Sequence, residues 1–340
     1  MWSIRAALAH FRGDSNAWRR VEQAAAAEFM QRFAAGRPRL SMLGILSPDK
    51  LSHAYGASSD VVRRGIRDVD DAIAQAHEIA RRGGWLDGLR TWVIGDHGHA
   101  PVSQHDDLHG WLSDEGHRVL AHPKLGVRRA NIALMVGGNA MAHIYLDPAD
   151  RTRRWWPDIA PRWQRVLDGV IARPSTGLAA VALDALTVRV FDRAHGSADI
   201  HRTHAGHDAR WRYEMRDGDP LQLGGNHDAL DAVSAWDVTT SSPYPDALVQ
   251  LSTLVPTPRG GDIVISAADD WDLRAKYEPT PHVSTHGGLL RDQMMVPLIL
   301  DAPPARAPQR TADLVPSALD VFQLAADQRG PQPFDGRSFL

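Results

Sequence analysis

The feature that most constrains the fold is a strand–helix–strand pattern in the first third of the chain. Residues 40–46 form a short apolar run between prolines, which predicts a buried strand. Residues 58–82 follow with apolar positions at helical spacing, and residues 92–94 predict a second strand. Such a unit is typical of an α/β fold, with two parallel strands joined by a right-handed crossover.

Acidic and histidine residues follow both predicted strands. Asp49 and His53 come after the first strand, and Asp96 and His97 come directly after the second. Because parallel strands end at the same edge of a sheet, where α/β folds bind ligands, we expect these four residues to face one crevice. Taken alone, the spacing of Asp49 and His53 more often reflects a helix-capping or turn Asp beside an unrelated loop His.

The composition excludes several classes of site. The chain has 340 residues, 17 histidines, no cysteine and a formal net charge of −3. Without cysteine, a transition-metal site has to consist of His and carboxylate, which suits zinc, manganese or iron. The net charge provides no basic field for a nucleic-acid polymer. No apolar run approaches the roughly 20 residues of a membrane span, and no signal-peptide segment is visible, so a cytoplasmic location is the default expectation.

The rest of the chain predicts a single α/β domain, with residues 110–235 its least regular part. Strands are predicted near residues 131–136, 143–146, 178–191, 262–267 and 295–300, and helices near 161–172 and 311–324. His286 precedes two glycines in a loop that a rigid sheet can aim into the crevice. A cluster of His195, His201, His204 and His207 indicates either an accessory metal site or, more commonly, a surface hairpin.

Three of these motifs, in this order, resemble a known family. Asp49-x3-His53, Asp96-His97-Gly98 and His286-Gly287-Gly288 look like the metal-binding motifs of the alkaline phosphatase superfamily, in its type I phosphodiesterase/nucleotide pyrophosphatase branch. The resemblance runs from about residue 39 to the C-terminus. It implies an α/β sandwich whose central sheet is mostly parallel and is flanked by helices on both faces.

The resemblance also implies a function. The chain would be a metal-dependent phosphoric ester hydrolase with two divalent ions, most often zinc, with manganese possible, and with a small-molecule phosphate ester as substrate. Asp49, His53 and His286 would bind one ion, and Asp96 and His97 would bind the other. Two such ions can stabilise both the attacking and the leaving oxygen of a phosphoryl transfer.

The opening segment departs from the family pattern. The family's first strand, a further Asp ligand and a Thr or Ser nucleophile should precede residue 40, where this chain predicts only a helix over residues 1–36. Asp14-Ser15 is the only acidic–hydroxyl pair there, and its expected role is the turn that begins this helix. We therefore expect an N-terminally incomplete domain that lacks its first strand and its nucleophile. The alternative is a non-catalytic protein of the same fold that binds metal and a phosphorylated ligand or a partner.

Overall fold

The computed structural model describes residues 4, 8–9, 12–122, 126–150, 152, 154–204, 208–274, 276, 281–324 and 334–340. The strands within these ranges are β1 Trp92–Ile94, β2 Ala100–His105, β3 Val119–Ala121, β4 Ile132–Gly137, β5 Met141–Leu146, β6 Thr176–Ala182, β7 Thr187–Asp192, β8 Gly196–Arg202, β9 Trp211–Met215, β10 His227–Leu230, β11 Ile263–Ala267, β12 Asp270–Asp272, β13 Ser284–Thr285 and β14 Leu298–Leu300. The α-helices are Ser15–Gly36, Ser47–Tyr55, Asp60–Arg82, Leu108–Asp114, Trp156–Ala172, Ala232–Thr239, Ala247–Leu254, Arg291–Met294 and Leu314–Val321.

The largest sheet has nine strands in the order β10-β9-β8-β7-β6-β11-β5-β4-β3. Every neighbouring pair in it is antiparallel except β3 and β4. The expectation of a mostly parallel sheet is therefore wrong. Short turns join β4 to β5, β6 to β7 and β7 to β8, and such turns connect antiparallel neighbours, whereas parallel neighbours need longer connections. The single strand expected near residues 178–191 is such a hairpin, formed by β6 and β7.

Both faces of this sheet are buried, as its central strand β6 shows. Ala179 and Val181 lie in one apolar core, together with the helix Trp156–Ala172. Leu178 and Ala180 point to the opposite core, which includes the helix Ala247–Leu254. Strands that are apolar on both sides are typical of a sheet covered by two layers. The α/β class with helices on both faces is confirmed. None of the helices in the described ranges is both long and apolar enough to cross a bilayer.

The predicted parallel unit near the N-terminus is wrong. Residues 40–46 form no strand, and the side chains of Leu40 and Met42 are 69% and 91% exposed. The backbone amides of Leu46 and Ser47 donate instead to the carboxylate of Glu22, so a side chain satisfies them in place of a strand ladder. Strand β1 pairs with β14 and runs antiparallel to it.

Each of the two long N-terminal helices begins after a residue whose side chain caps it. The side chain of Asp14 accepts a hydrogen bond from Ala17 N at 2.8 Å, so Asp14 caps the helix Ser15–Gly36. Ser59 caps the helix Asp60–Arg82 by accepting from Val62 N at 3.3 Å. Asp14 therefore has the expected role in the turn that begins a helix.

Two histidines of the expected cluster, His195 and His201, lie on the hairpin of β7 and β8. His195 is in the turn between β7 and β8, with its Nδ1 3.0 Å from Asp192 Oδ1, while His201 is near the far end of β8. Six residues of strand separate these histidines by about 20 Å, so they do not share an ion. His207 lies outside the described residues.

Candidate metal centre

Three segments meet at one point beside the small sheet of β12, β2 and β13. The helix Ser47–Tyr55 packs on β13, and Val283 N donates to the carbonyl of His53 at 2.8 Å. Strand β13 pairs antiparallel with β2, placing Thr285 opposite Ala100. These contacts bring together a helix, the residue that precedes β2 and the residue that follows β13.

Four potential metal ligands converge there: Asp49, His53, His99 and His286. One ligand atom from each lies within 4.8 Å of the others, and within the described ranges no other group of three or more such side chains converges in this way. From Asp49 Oδ1 the distance to Nε2 is 3.0 Å for His99 and 3.3 Å for both His53 and His286. The structure thus brings together three of the residues expected from the sequence and adds His99.

Ser284 orients two of the imidazole rings. Its carbonyl oxygen lies 2.9 Å from His53 Nδ1, so that nitrogen carries the proton and donates. The Ser284 hydroxyl donates to the carbonyl of Ala100 at 3.0 Å and therefore accepts from His99 Nδ1, also at 3.0 Å. In neutral imidazoles held in this way, both Nε2 atoms present a lone pair to the carboxylate of Asp49.

This donor set fits a cation. The Nε2 atoms of His99 and His53 lie 3.0 and 3.3 Å from Asp49 Oδ1, and all three atoms are acceptors. Acceptors at such distances need either extra protons or a cation between them. Histidine with its Nδ1 donating to a carbonyl or hydroxyl, and its Nε2 toward the ion, is the usual form of a zinc ligand.

The pKa shifts indicate the ligand form of these residues. Burial lowers the pKa of both His99 and His286, which favours neutral imidazole. Burial alone would raise the pKa of Asp49, but its contacts with His286, His53 and His99 outweigh it and hold that pKa well below its usual value. The cluster therefore combines an ionised carboxylate with two imidazoles, those of His99 and His286, that resist protonation, as a metal site requires.

Asp96 and His97 lie at the edge of this group. His97 Nε2 is 4.0 Å from Asp49 Oδ1 and 3.7 Å from Asp96 Oδ2, and its ring stacks on that of His286 with 3.6 Å between centroids. The Asp96 side chain is 79% exposed. The two residues are therefore next to the converging ligands, but Asp96 points largely to solvent.

Close backbone contacts hold the segments that carry His97, His99 and His286. Gly98 N donates to Gln293 O at 2.8 Å, and a Cβ at Gly98 would overlap the carbonyl oxygen of Asp292. The chain at His286 lies against the turn between β4 and β5, since His286 N donates to Gly138 O at 3.0 Å. Glycine permits both approaches because it has no side chain.

A fifth histidine supports the group from outside. The ring of His282 stacks on that of His53, with 4.2 Å between centroids, and its Nδ1 accepts from the buried Asn139 amide at 2.7 Å. Burial lowers the pKa of His282 to about 3. His282 is thus a neutral ring that limits the movement of His53.

His99 is the candidate ligand that sequence reasoning missed. It stands two residues after His97, directly before β2, so the pattern Asp96-His97-Gly98-His99 contained the signal. Residues i and i+2 of an extended chain point to the same side, so this spacing already allows both histidines to face one site. The close approach at Gly98 allows both rings to reach the same region.

The sheet, which is covered on both faces, and the cluster of Asp and His side chains define an α/β protein with a candidate metal centre. A model of the family described as type I phosphodiesterase / nucleotide pyrophosphatase matches residues 3–289. The chain belongs to this family, and thereby to the alkaline phosphatase superfamily. No curated protein matches the sequence.

Solved structures resemble the fold at low sequence identity. Two structures of murine ectonucleotide pyrophosphatase/phosphodiesterase 5, one of them with AMP, have a TM-score of 0.50 at 13% and 14% identity, covering 92% of this chain and 61% of theirs. Phosphonoacetate hydrolase from Sinorhizobium meliloti 1021, with phosphonoformate, has a TM-score of 0.40 at 13% identity, covering 92% of this chain and 57% of that one. The chain therefore spans about three fifths of the length of these structures.

Proposed function

We propose that this chain is a metal-dependent hydrolase of phosphoric esters. Family membership supports the reaction class. The observation that carries the proposal is the convergence of His53, His99 and His286 on a single oxygen of Asp49. As the resemblance implies, Asp49, His53 and His286 are the proposed ligands of a first divalent ion, and Asp96 and His97 those of a second.

Divalent ions held by these residues would place positive charge beside the phosphoryl group of the ester. The residues of the chain set where that charge can lie. Ser284 fixes the rings of His53 and His99, and Lys50 Nζ lies 3.6 Å from Asp49 Oδ2, which holds the carboxylate from its other side. The exposed carboxylate of Asp96 leaves the second position open to a substrate from solvent.

The proposed substrate is a small-molecule phosphate ester. The murine relative has been solved with AMP, and we propose a ligand of the same chemical class for this chain. A net charge of −3 gives the chain no overall basic field for a nucleic-acid polymer.

The hydroxyl groups beside the cluster are not proposed as nucleophiles. The Ser284 hydroxyl donates to the carbonyl of Ala100, and the Thr285 hydroxyl donates to the carbonyl of Gly138 at 2.7 Å. Both residues are buried, with at most 1% of their surface exposed. Each hydroxyl proton is therefore held by a carbonyl that would have to lose its partner before the oxygen could attack.

The test combines metal binding with hydrolysis. The purified chain is stripped with a chelator, reloaded with zinc or manganese, and assayed with an aryl phosphodiester and an aryl phosphomonoester. Asp49→Asn and His286→Ala are expected to lose metal and turnover together. His195→Ala is the matched control, since its ring lies in the turn between β7 and β8, and it should behave like the unmodified chain.

The outcomes separate the proposal from the non-catalytic alternative. Metal-dependent turnover that disappears in His286→Ala supports the hydrolase. Stoichiometric metal binding without turnover on either ester contradicts the hydrolase and supports a metal-binding protein of the same fold. Turnover that persists without metal, or in Asp49→Asn, contradicts the assigned centre.

A further inference from the structure

We infer that His99 is the fourth protein ligand of the first ion and that it closes this ion to external ligands. The inference rests on the proposed metal binding at Asp49, His53 and His286, and it goes further by assigning the coordination position that a hydrolytic ion leaves open. Structural zinc has four protein ligands, whereas catalytic zinc has three and binds water or substrate in the fourth position.

The position of His99 is that of a ligand. Its Nε2 lies 3.0 Å from Asp49 Oδ1, nearer than the corresponding atoms of His53 and His286 at 3.3 Å. Its side chain is 9% exposed, less than the 11% of His53 and the 17% of His286. The most buried of these three rings is thus also the one nearest to the carboxylate.

The distances from Asp49 Oδ1 match those between ligands of a tetrahedral ion. Ligand atoms about 2.0–2.1 Å from zinc at tetrahedral angles are roughly 3.3 Å from one another. The three distances from Asp49 Oδ1 are 3.0, 3.3 and 3.3 Å. A tetrahedron of three imidazoles and one carboxylate oxygen is typical of zinc, whereas manganese favours octahedral oxygen ligands. The site should therefore prefer zinc.

The ring of His99 is held where it is. Its Nδ1 donates to Ser284, its centroid is 4.9 Å from that of His53 and 5.0 Å from that of His286, and both rings meet it edge to face. Moving His99 away would break the hydrogen bond to Ser284 in a site where water cannot replace it. His99 therefore stays in the fourth position.

The two ions then have different roles. The first joins the helix Ser47–Tyr55 to β2 and β13 and offers no position to a phosphate oxygen. The substrate has to bind the second ion, beside His97 and the 79% exposed Asp96. The first site therefore stabilises the fold around the centre, and the exposed second site binds the substrate.

The test uses cobalt as a spectroscopic substitute for zinc. Chains with Asp96→Asn, which disables the second site, are loaded with one equivalent of Co²⁺ and titrated with azide and then with inorganic phosphate. Three chains are compared in this background: His99 intact, His99→Ala, and His195→Ala as the control. The measurement is the visible absorption of the bound cobalt, which needs no catalytic activity.

With His99 intact, and in the His195→Ala control, the absorption should be that of tetrahedral cobalt and should not change with either anion. In His99→Ala the ion should bind more weakly by about 10–100-fold or more, because the loss of even an outer partner of a metal ligand has an effect of that size. The spectrum of the bound cobalt should shift when azide binds. An equal azide shift with His99 intact overturns the inference and leaves the proposed metal centre standing. Absence of bound cobalt with His99 intact contradicts the metal centre itself.

A second measurement covers the case in which His99→Ala does not fold. X-ray absorption of the chain with one zinc should show three imidazole ligands if His99 binds. Two imidazoles with additional oxygen ligands would overturn the inference.

Discussion

Ser284→Ala tests how the chain orients its candidate ligands. Ser284 has no exposed surface, and its hydroxyl both accepts from His99 Nδ1 and donates to the carbonyl of Ala100. Alanine removes these two hydrogen bonds but keeps the Ser284 carbonyl that receives His53. The substitution therefore frees one ring and leaves the other in place.

Its magnitude follows from these contacts. Each buried polar group left without a partner costs about 1–3 kcal/mol, so the metal-free chain should lose about 2 kcal/mol or more of its free energy of unfolding. Loss of an outer partner of a metal-binding histidine weakens metal binding by about 10–100-fold, or roughly 1.4–2.7 kcal/mol. Zinc affinity should fall within that range because only one of the three rings is released.

The assay is zinc competition with a chromophoric chelator, together with denaturant unfolding of the metal-free chain. Ser52→Ala is the matched control: Ser52 is 3% exposed, and its hydroxyl donates to Pro48 O at 2.6 Å rather than to a histidine. The control should lose stability and keep its zinc affinity. If zinc affinity falls equally in Ser52→Ala and Ser284→Ala, Ser284 does not act by orienting His99.

Two further predictions concern the backbone and the buried ring beside the cluster. Gly98→Ala should lose about 1–3 kcal/mol of its free energy of unfolding and bind zinc more weakly, because the new Cβ overlaps the Asp292 carbonyl. Gly88→Ala, whose Cβ meets nothing within 4 Å, should change neither stability nor zinc affinity. Equal behaviour of the two variants would refute the packing argument. The metal-free chain should also lose stability as the pH falls from 6.5 toward about 3, because burial lowers the pKa of His282 to about 3 and only the unfolded chain then takes up the proton. The slope from this group is at most about 1.4 kcal/mol per pH unit, and denaturant unfolding of His282→Asn should show a smaller slope; an unchanged slope would contradict the assignment.

Local signals in the sequence predicted the helices well and the strand pairing poorly. Ser59 and Asp14 cap helices because a cap depends on residues a few positions away. Strand direction depends on distant segments. β1 pairs with β14, which lies some 200 residues further along the chain, and the two strands are antiparallel. The apolar run at residues 40–46 has no such partner, which explains why its composition was misleading.

The candidate site was reached by a partly wrong route. Asp49 and His53 were expected near His97 because two parallel strands would end at one edge, yet neither strand is arranged in that way. They meet because the helix Ser47–Tyr55 packs on β13, which the motifs alone could not show. The sequence could not show the hydrogen bond that orients His99, because its partner Ser284 is 185 residues away.

The most direct test of the central claim is the position of a bound zinc ion. Crystals of the zinc-loaded chain, measured on both sides of the zinc absorption edge, should give an anomalous peak about 2.0–2.1 Å from each ligand atom. The account predicts this peak between Asp49 Oδ1 and the Nε2 atoms of His53, His99 and His286. A zinc-loaded crystal with no peak among these four atoms would contradict it.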